Sequence, residues 1–305
     1  MANPGELKAK AGEWRPVDDY TSEALEACEK ALRTIVSRIG AWGERLVLFG
    51  GLAPRYIVRE LPADVSEHTG TTDLDVVVGL AIGGEDAAVY SKLQKELRNA
   101  GFEPNPEESY AWERRVDSVK VVLEFFCPVE EGGEAGRLKR NPGGSAGSTV
   151  SAIQLRGAEL AGADCTTRTL SGDVLDHGGR RDVEVRVVNI LPFLVLKAFA
   201  LETRDKEKDA YDIVWTLDAF GDLGPEDAAE VAADSPIADS EYVAAAMELL
   251  AGRFRDLTDQ GPSNYARFFI GAANNDDERT RLRRFARDIV QRFLARWHEL
   301  RSTNR

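Results

Sequence analysis

The chain has 305 residues, with 39 basic side chains against 52 acidic ones and a formal net charge of -13 at pH 7. At 43% hydrophobic and 30% charged residues with 12 prolines, it is not disordered, collagen-like or of low complexity, and its length suits two ordinary domains. The acidic balance excludes whole-surface attraction to a polyanion, so any nucleic-acid contact must be local. The longest apolar stretch, residues 187–201, is interrupted by Asn189, Pro192 and Lys197 and falls short of the roughly 20 residues a spanning helix needs, so no membrane segment is expected. The N-terminus has no apolar run of the kind a secretory signal carries, and Cys28, Cys127 and Cys165 form no close pair; the expected location is the cytoplasm.

In chain order, residues 21–39 carry Leu25, Cys28, Ala31, Leu32 and Ile35 at a helical period behind Thr21 or Ser22 as a cap. LVLFGG at 46–51 reads as a strand and glycine turn leading into a helix over 52–61, and residues 62–71 read as a polar loop. DLDVVVGL at 73–80 predicts a buried strand, 87–100 a helix ending at Gly101, and KVVLEFFC at 120–127 another strand. Residues 128–151 hold six glycines and a basic cluster, Arg137, Lys139 and Arg140, with no apolar period, and read as a loop. VEVRVV at 183–188 alternates like an exposed or edge strand, and a long helical region is expected from Phe193 to about Leu217, with helices thereafter. The composition turns almost wholly helical near Asn189, which divides the chain into a mixed strand-and-helix domain, 1–189, and a helical domain, 190–305, an α+β organisation.

Asp73 and Asp75 are two apart on the predicted strand, so they leave the same face. Burying two unpaired carboxylates is costly; such a pair typically holds a hard divalent cation through oxygen, the alternative being a capped turn. Gly50 and Gly51 stand where bare backbone amides approach a phosphate at a helix start. Glu124, amid apolar residues, is a third metal-side carboxylate if its strand lies beside that of Asp73, or else faces solvent on an edge strand. In KAFALETRDKEKDAYDI, one continuous helix would align Lys197, Leu201, Arg204, Lys208 and Tyr211 in a basic stripe suited to phosphate. The alternative is a surface helix laced by Asp205 with Lys208 and Glu202 with Lys206, which Lys197 resists because its neighbours are apolar and a lysine there needs a partner or ligand.

These residues resemble nucleotidyltransferases of the DNA polymerase beta superfamily and, within it, the AbiEii-type toxins of bacterial abortive-infection and toxin-antitoxin systems. GGLAPRYI at 50–57 resembles the glycine motif, GTTDLDVVV at 70–78 the metal motif, and Lys197 with Arg204, Lys208, Asp209 and Asp212 the lysine to Lys-Asp-x-x-Asp signature. The superfamily commonly has serine where this chain has Gly51, and the 21 residues between Gly51 and Asp73 exceed its usual spacing. The resemblance implies a polymerase-beta-like core of mixed sheet flanked by helices, followed by a mainly helical domain. It implies transfer of a nucleoside monophosphate from an NTP to an acceptor hydroxyl with magnesium or manganese. Asp73, Asp75 and Glu124 would hold the metal; Gly50, Gly51, Thr71 and Thr72 would meet the nucleotide phosphates; Lys197, Arg204, Lys208 and Asp209 would neutralise or brace the phosphate site; Glu124 or Asp212 would accept the proton.

The acceptor the resemblance suggests is the 3′ end of tRNA, with growth arrest as the outcome and an antitoxin protein as partner. Residues 279–305 hold nine arginines against Asp288 and Glu299, a local balance of +7, while Leu282, Phe285, Ile289, Phe293 and Trp297 recur at helical spacing. That segment is either a solvated arginine face or an RNA contact, which the basic cluster at 137–140 would assist. A small-molecule or protein hydroxyl is the alternative acceptor, and a non-catalytic nucleotide- or partner-binding module the alternative class.

Overall fold

The computed structural model describes residues 16–39, 45–70, 73–78, 87–108, 110–140, 150–176, 178–271 and 275–303, with backbone alone for residues 18, 19, 73–78 and 87–91. The chain is mixed α/β and forms two compact units. One comprises Ser22–Ile57 and Gly70–Leu196; the other comprises residues up to Thr21, Val58–Thr69 and everything from Lys197 on.

The first unit is built on a mixed sheet. Its elements are α1 (Ser22–Ile39), β1 (Leu46–Phe49), a 3-10 turn (Gly50–Leu52), α2 (Pro54–Ile57), β2 (Asp73–Val78), α3 (Ala87–Asn99), β3 (Glu103–Pro104), β4 (Ala111–Val116), β5 (Val119–Pro128), β6 (Leu138–Arg140), β7 (Ser151–Leu155), α4 (Ala158–Ala163), β8 (Cys165–Asp173) and β9 (Arg180–Val188). The strand order is β3-β4-β5-β2-β1-β9-β8, with β7 pairing the far end of β5 and β6 pairing β7. Strands β2 and β5, β1 and β9, and β5 and β7 are parallel, while β1 and β2 are antiparallel.

The apolar period of α1 explains its seat. Ala24, Cys28, Ala31, Leu32, Ile35 and Ile39 are buried. Leu32, Ile35 and Val36 close over Leu46 and Leu48 of β1, Leu123 and Phe125 of β5, and Val185 of β9. Each such side chain withdrawn from water contributes about 1.5–3 kcal/mol. Along β5 buried residues alternate with half-buried ones, so Val122, Glu124 and Phe126 belong to the face turned away from α1.

The helix expected over 52–61 is only α2, because Pro62 disfavours helical geometry at Leu61 and the chain leaves this unit at Val58. The glycine-rich loop contains β6, whose pairing with β7 orders Lys139 and Arg140; residues 141–149 lie outside the described set. Strand β9 is not an edge, since β1 and β8 pair both its sides, and neither is β5, flanked by β2 and β4.

Helix α5 (Ile190–Thr203) crosses the division between the units at Leu196 and Lys197. The second unit continues with α6 (Glu207–Asp218), α7 (Pro225–Ala233), α8 (Glu241–Arg253), α9 (Gln260–Ile270) and α10 (Asp276–Thr303). Helix α10 packs on α7, α9, α6 and α8, burying Leu282, Ile289, Phe293 and Trp297, whereas Phe285 stays 38% exposed. Its arginines are largely engaged: Arg292 with Glu226, Arg296 with Glu230 and Glu299, Arg301 with Asp239, Arg281 with Glu278 and Arg287 with Asp288. No helix among the described residues is long and apolar enough to cross a membrane, and no disulfide joins the three cysteines.

Candidate functional site

The helical region expected from Phe193 to Leu217 is two helices and not one continuous one: residues 204–206 are not helical, and α5 and α6 are separate. In a continuous helix Lys197 and Asp209 would stand about 18 Å apart along the axis, beyond the reach of a lysine. Instead Lys197 Nζ donates to Asp209 Oδ1 at 2.8 Å and to Asp212 Oδ2 at 2.7 Å. The local bonds at the break favour a stop: Thr203 Oγ1 donates back to the Phe199 carbonyl, and Arg204 folds onto Asp209, donating from Nε to Oδ2 at 2.7 Å and from Nη2 to Oδ1 at 2.9 Å. The basic stripe is therefore replaced by a knot of ion pairs. The Asp205–Lys208 pair proposed for a surface helix does not supply it, for Lys208 donates to Asp212 Oδ1 at 2.5 Å while Asp205 accepts from Asn264 and Arg267.

The knot is buried. Lys197, Lys208, Asp209 and Asp212 are all under a tenth exposed; Arg204 alone reaches solvent, with half its side chain exposed. His68 joins it, its Nε2 3.0 Å from Asp212 Oδ1. The His68 segment is tied to α6 by Trp215 Nε1 donating to the Ser66 carbonyl at 2.9 Å and by the Thr69 amide donating to Tyr211 Oη at 3.0 Å. The imidazole lies between the rings of Tyr211 and Trp215, with centroids at 5.1 and 4.7 Å, and the Lys208 ammonium lies 5.1 Å from the centre of the Tyr20 ring.

Burial sets the protonation states and the ion pairs correct them. Burial works against the Lys197 charge, yet Asp209 and Asp212 outweigh it and hold the ammonium above the ordinary lysine value. Burial alone would raise both aspartates, but Lys197 and Lys208 hold the Asp212 carboxyl far below the usual carboxylate range, and Lys197 and Arg204 hold that of Asp209 below its ordinary value. Lys208 is pulled below the ordinary lysine value by burial, against the attraction of Asp212. Burial, aided by the Lys208 charge, pushes His68 down to about 4, so the imidazole is neutral at pH 7 and donates its Nε2 proton to Asp212. With His68 neutral, Lys197, Lys208 and Arg204 face the carboxylates of Asp209 and Asp212 in this cluster.

The remaining candidates lie in the sheet unit. Gly50, at φ +77°, opens the 3-10 turn directly after β1, and its carbonyl accepts from the Ala53 amide at 3.2 Å. Because α2 is one turn long, the phosphate-binding helix start expected there reduces to the glycine turn. The register places Phe49 opposite Asp75, and Asp75 opposite Glu124 in the parallel pair of β2 and β5, with Asp73 opposite Val122. Three segments far apart in sequence thus meet on adjacent central strands. Thr71 and Thr72 lie outside the described residues, as do the side chains of Asp73 and Asp75. Among the described residues no group of three or more histidine, cysteine, aspartate or glutamate side chains is placed to hold a metal ion.

Sequence reasoning missed His68, Tyr20 and Trp215. The only signal for His68 was its rarity, one of three histidines, within a segment read as a polar loop. Compared with protein-family models, with curated proteins and with solved structures, the chain has no significant match.

Proposed function

We propose that this protein is a metal-dependent nucleotidyltransferase that moves a nucleoside monophosphate from an NTP to an acceptor hydroxyl on a polymerase-beta-like core. The observation that carries the reading is the register of β1, β2 and β5, which brings Asp75 level with Glu124 and sets the Gly50–Gly51 turn one residue beyond the partner of Asp75. A glycine turn, an Asp-x-Asp strand and a third carboxylate are the parts that phosphoryl-group chemistry needs together: close backbone approach to phosphate and hard oxygen donors.

The donor chemistry fits magnesium or manganese, all oxygen and all anionic, with Asp73, Asp75 and Glu124 as the residues that would hold the ion. When bound, the ion neutralises charge on the triphosphate and its leaving group. The Gly50 and Gly51 backbone approaches the phosphates. Glu124 is the carboxylate assigned to take the acceptor proton, because Asp212, with both oxygens engaged by cations and His68, is held too far down to serve as a base at neutral pH. A role for the Lys197 cluster in binding anions is supported by Arg204, its solvent-reaching member.

The acceptor proposed from the family resemblance is the 3′ end of tRNA, which would make the protein a growth-arresting toxin with an antitoxin partner. One observation favours a second acceptor, a small hydroxylated molecule or a protein: most arginines of α10 already have carboxylate partners. Incubation with magnesium, each labelled NTP and total tRNA, or with small-molecule and protein acceptors, tests both. The expected result is transfer that Asp73→Ala lowers by at least about a hundredfold. Full transfer by Asp73→Ala would sink the metal assignment, and label in a non-RNA acceptor would select the second reading.

A further inference from the structure

The helical unit carries a surface cleft of about 480 Å³, which shares Arg204 with the ion-pair knot. It lies among the end of α5, the last residue of α8 and the first turns of α9, and three of its lining residues are Arg204, Arg253 and Arg267. These guanidiniums differ in state. Arg204 is bound bidentately to Asp209, and Arg267 donates through Nη2 to Asp205. Arg253 is half-buried and its guanidinium has no ion-pair or hydrogen-bond partner among the described residues. One further lining atom is buried without a hydrogen bond, the Oε1 of Gln260, an acceptor; the Nε of Arg267 lies 3.5 Å from the Glu207 carboxylate. The Gln260 amide is not loose, because its Nε2 donates to the Arg204 carbonyl at 3.2 Å.

Buried polar atoms without partners are uncommon in folded proteins and cost stability unless something satisfies them. An arginine without a partner calls for an anion with several acceptor oxygens, and a planar guanidinium matches phosphate. An orphaned acceptor beside it calls for a hydroxyl. The geometry points to a binding site here for a phosphorylated, hydroxyl-bearing ligand of the sugar-phosphate class. Phosphate would sit against Arg253, and a neighbouring hydroxyl would donate to Gln260 Oε1. Arg204 joins this cleft to the buried knot, since the Asp209 carboxylate it grips also holds Lys197. The same chemistry has two sources, a free sugar phosphate such as a nucleotide or the ribose-phosphate backbone of RNA.

The test is calorimetric titration of the full chain, without divalent cation, with inorganic phosphate, ribose 5-phosphate, hexauridylate and its deoxy counterpart. Binding of ribose 5-phosphate ahead of inorganic phosphate, weakened about tenfold or more by Arg253→Gln and untouched by Arg255→Gln, is expected. Hexauridylate bound more than about tenfold tighter than ribose 5-phosphate and its deoxy counterpart would name RNA as the source; equal affinities would name the free ligand. On the wild-type protein, ribose 5-phosphate should shield Arg253 from modification by phenylglyoxal, a reading independent of any variant's folding. No binding by any probe, binding indifferent to Arg253→Gln, or no shielding would overturn the site. Because Asp73→Ala should bind as wild type does, loss of the cleft and loss of the transfer reaction are separable results.

Discussion

Lys197 shows at the scale of a single residue why a buried ion pair is indispensable without being a large source of stability. Desolvating three charges roughly cancels their attraction, but removing one strands the others. Lys197→Met should therefore leave Asp209 and Asp212 short of a counter-ion and cost about 3–5 kcal/mol, read as a lower urea midpoint for the helical unit. An unchanged midpoint would mean the carboxylates find other partners. His68 makes a separate prediction in pH. Its folded value is lowered to about 4 from 6.5, so between these limits the unfolded chain binds a proton that the folded one refuses. Stability is then full above pH 6.5 and falls, by on the order of 3 kcal/mol, as pH drops toward 4. Asp209 and Asp212, held below the ordinary carboxylate value of 3.8, add a further loss only as pH falls below that value. In His68→Gln the first window should vanish and the second remain, which urea titrations at pH 7, 6, 5, 4 and 3 would resolve.

At the scale of elements, the turn after β1 and the break between α5 and α6 behave differently. The turn is legible: two glycines after an apolar run announce a left-handed residue, and Gly50 has φ +77°. Gly50→Ala should cost about 1–2 kcal/mol from the side chain in that conformation and lower nucleotidyl transfer by displacing the backbone that approaches phosphate. Transfer and melting temperature both unaltered would show that the turn carries no strain and no ligand. The break is not legible. TRDKEK holds neither glycine nor proline, and its helix formers favour continuation. What stops the helix is partners beyond it in sequence: Asp209 for Arg204, and Asn264 and Arg267 for Asp205. Likewise β6 hides among glycines because a three-residue strand has too few positions to show a period, and only pairing with β7 defines it.

For the whole molecule, the net charge of -13 and the ion-paired arginines of α10 make the same prediction. A basic run that already faces Glu226, Glu230 and Asp239 presents little unbalanced charge to a polyanion. The chain should pass through immobilised heparin unretained at about 0.15 M salt, where screening confines surface charge to about 8 Å. Retention abolished by Arg283→Glu with Arg284→Glu would restore α10 as a nucleic-acid grip.

The sequence by itself determined what depends on neighbours within a few residues: the strands of β1, β2, β5 and β9, the helices α1, α3 and α10, the glycine turn, and the mixed-then-helical order of the chain. These follow from periods of two and 3.6 residues and from glycine's freedom at positive φ. It also marked Lys197 as a lysine in need of a partner. Tertiary structure alone decided which partner: Asp209 and Asp212 across a break in the helix, with His68 arriving from a segment more than a hundred residues earlier. It decided too that Asp75 stands level with Glu124, because strand register between distant segments is set by packing, which no local pattern encodes.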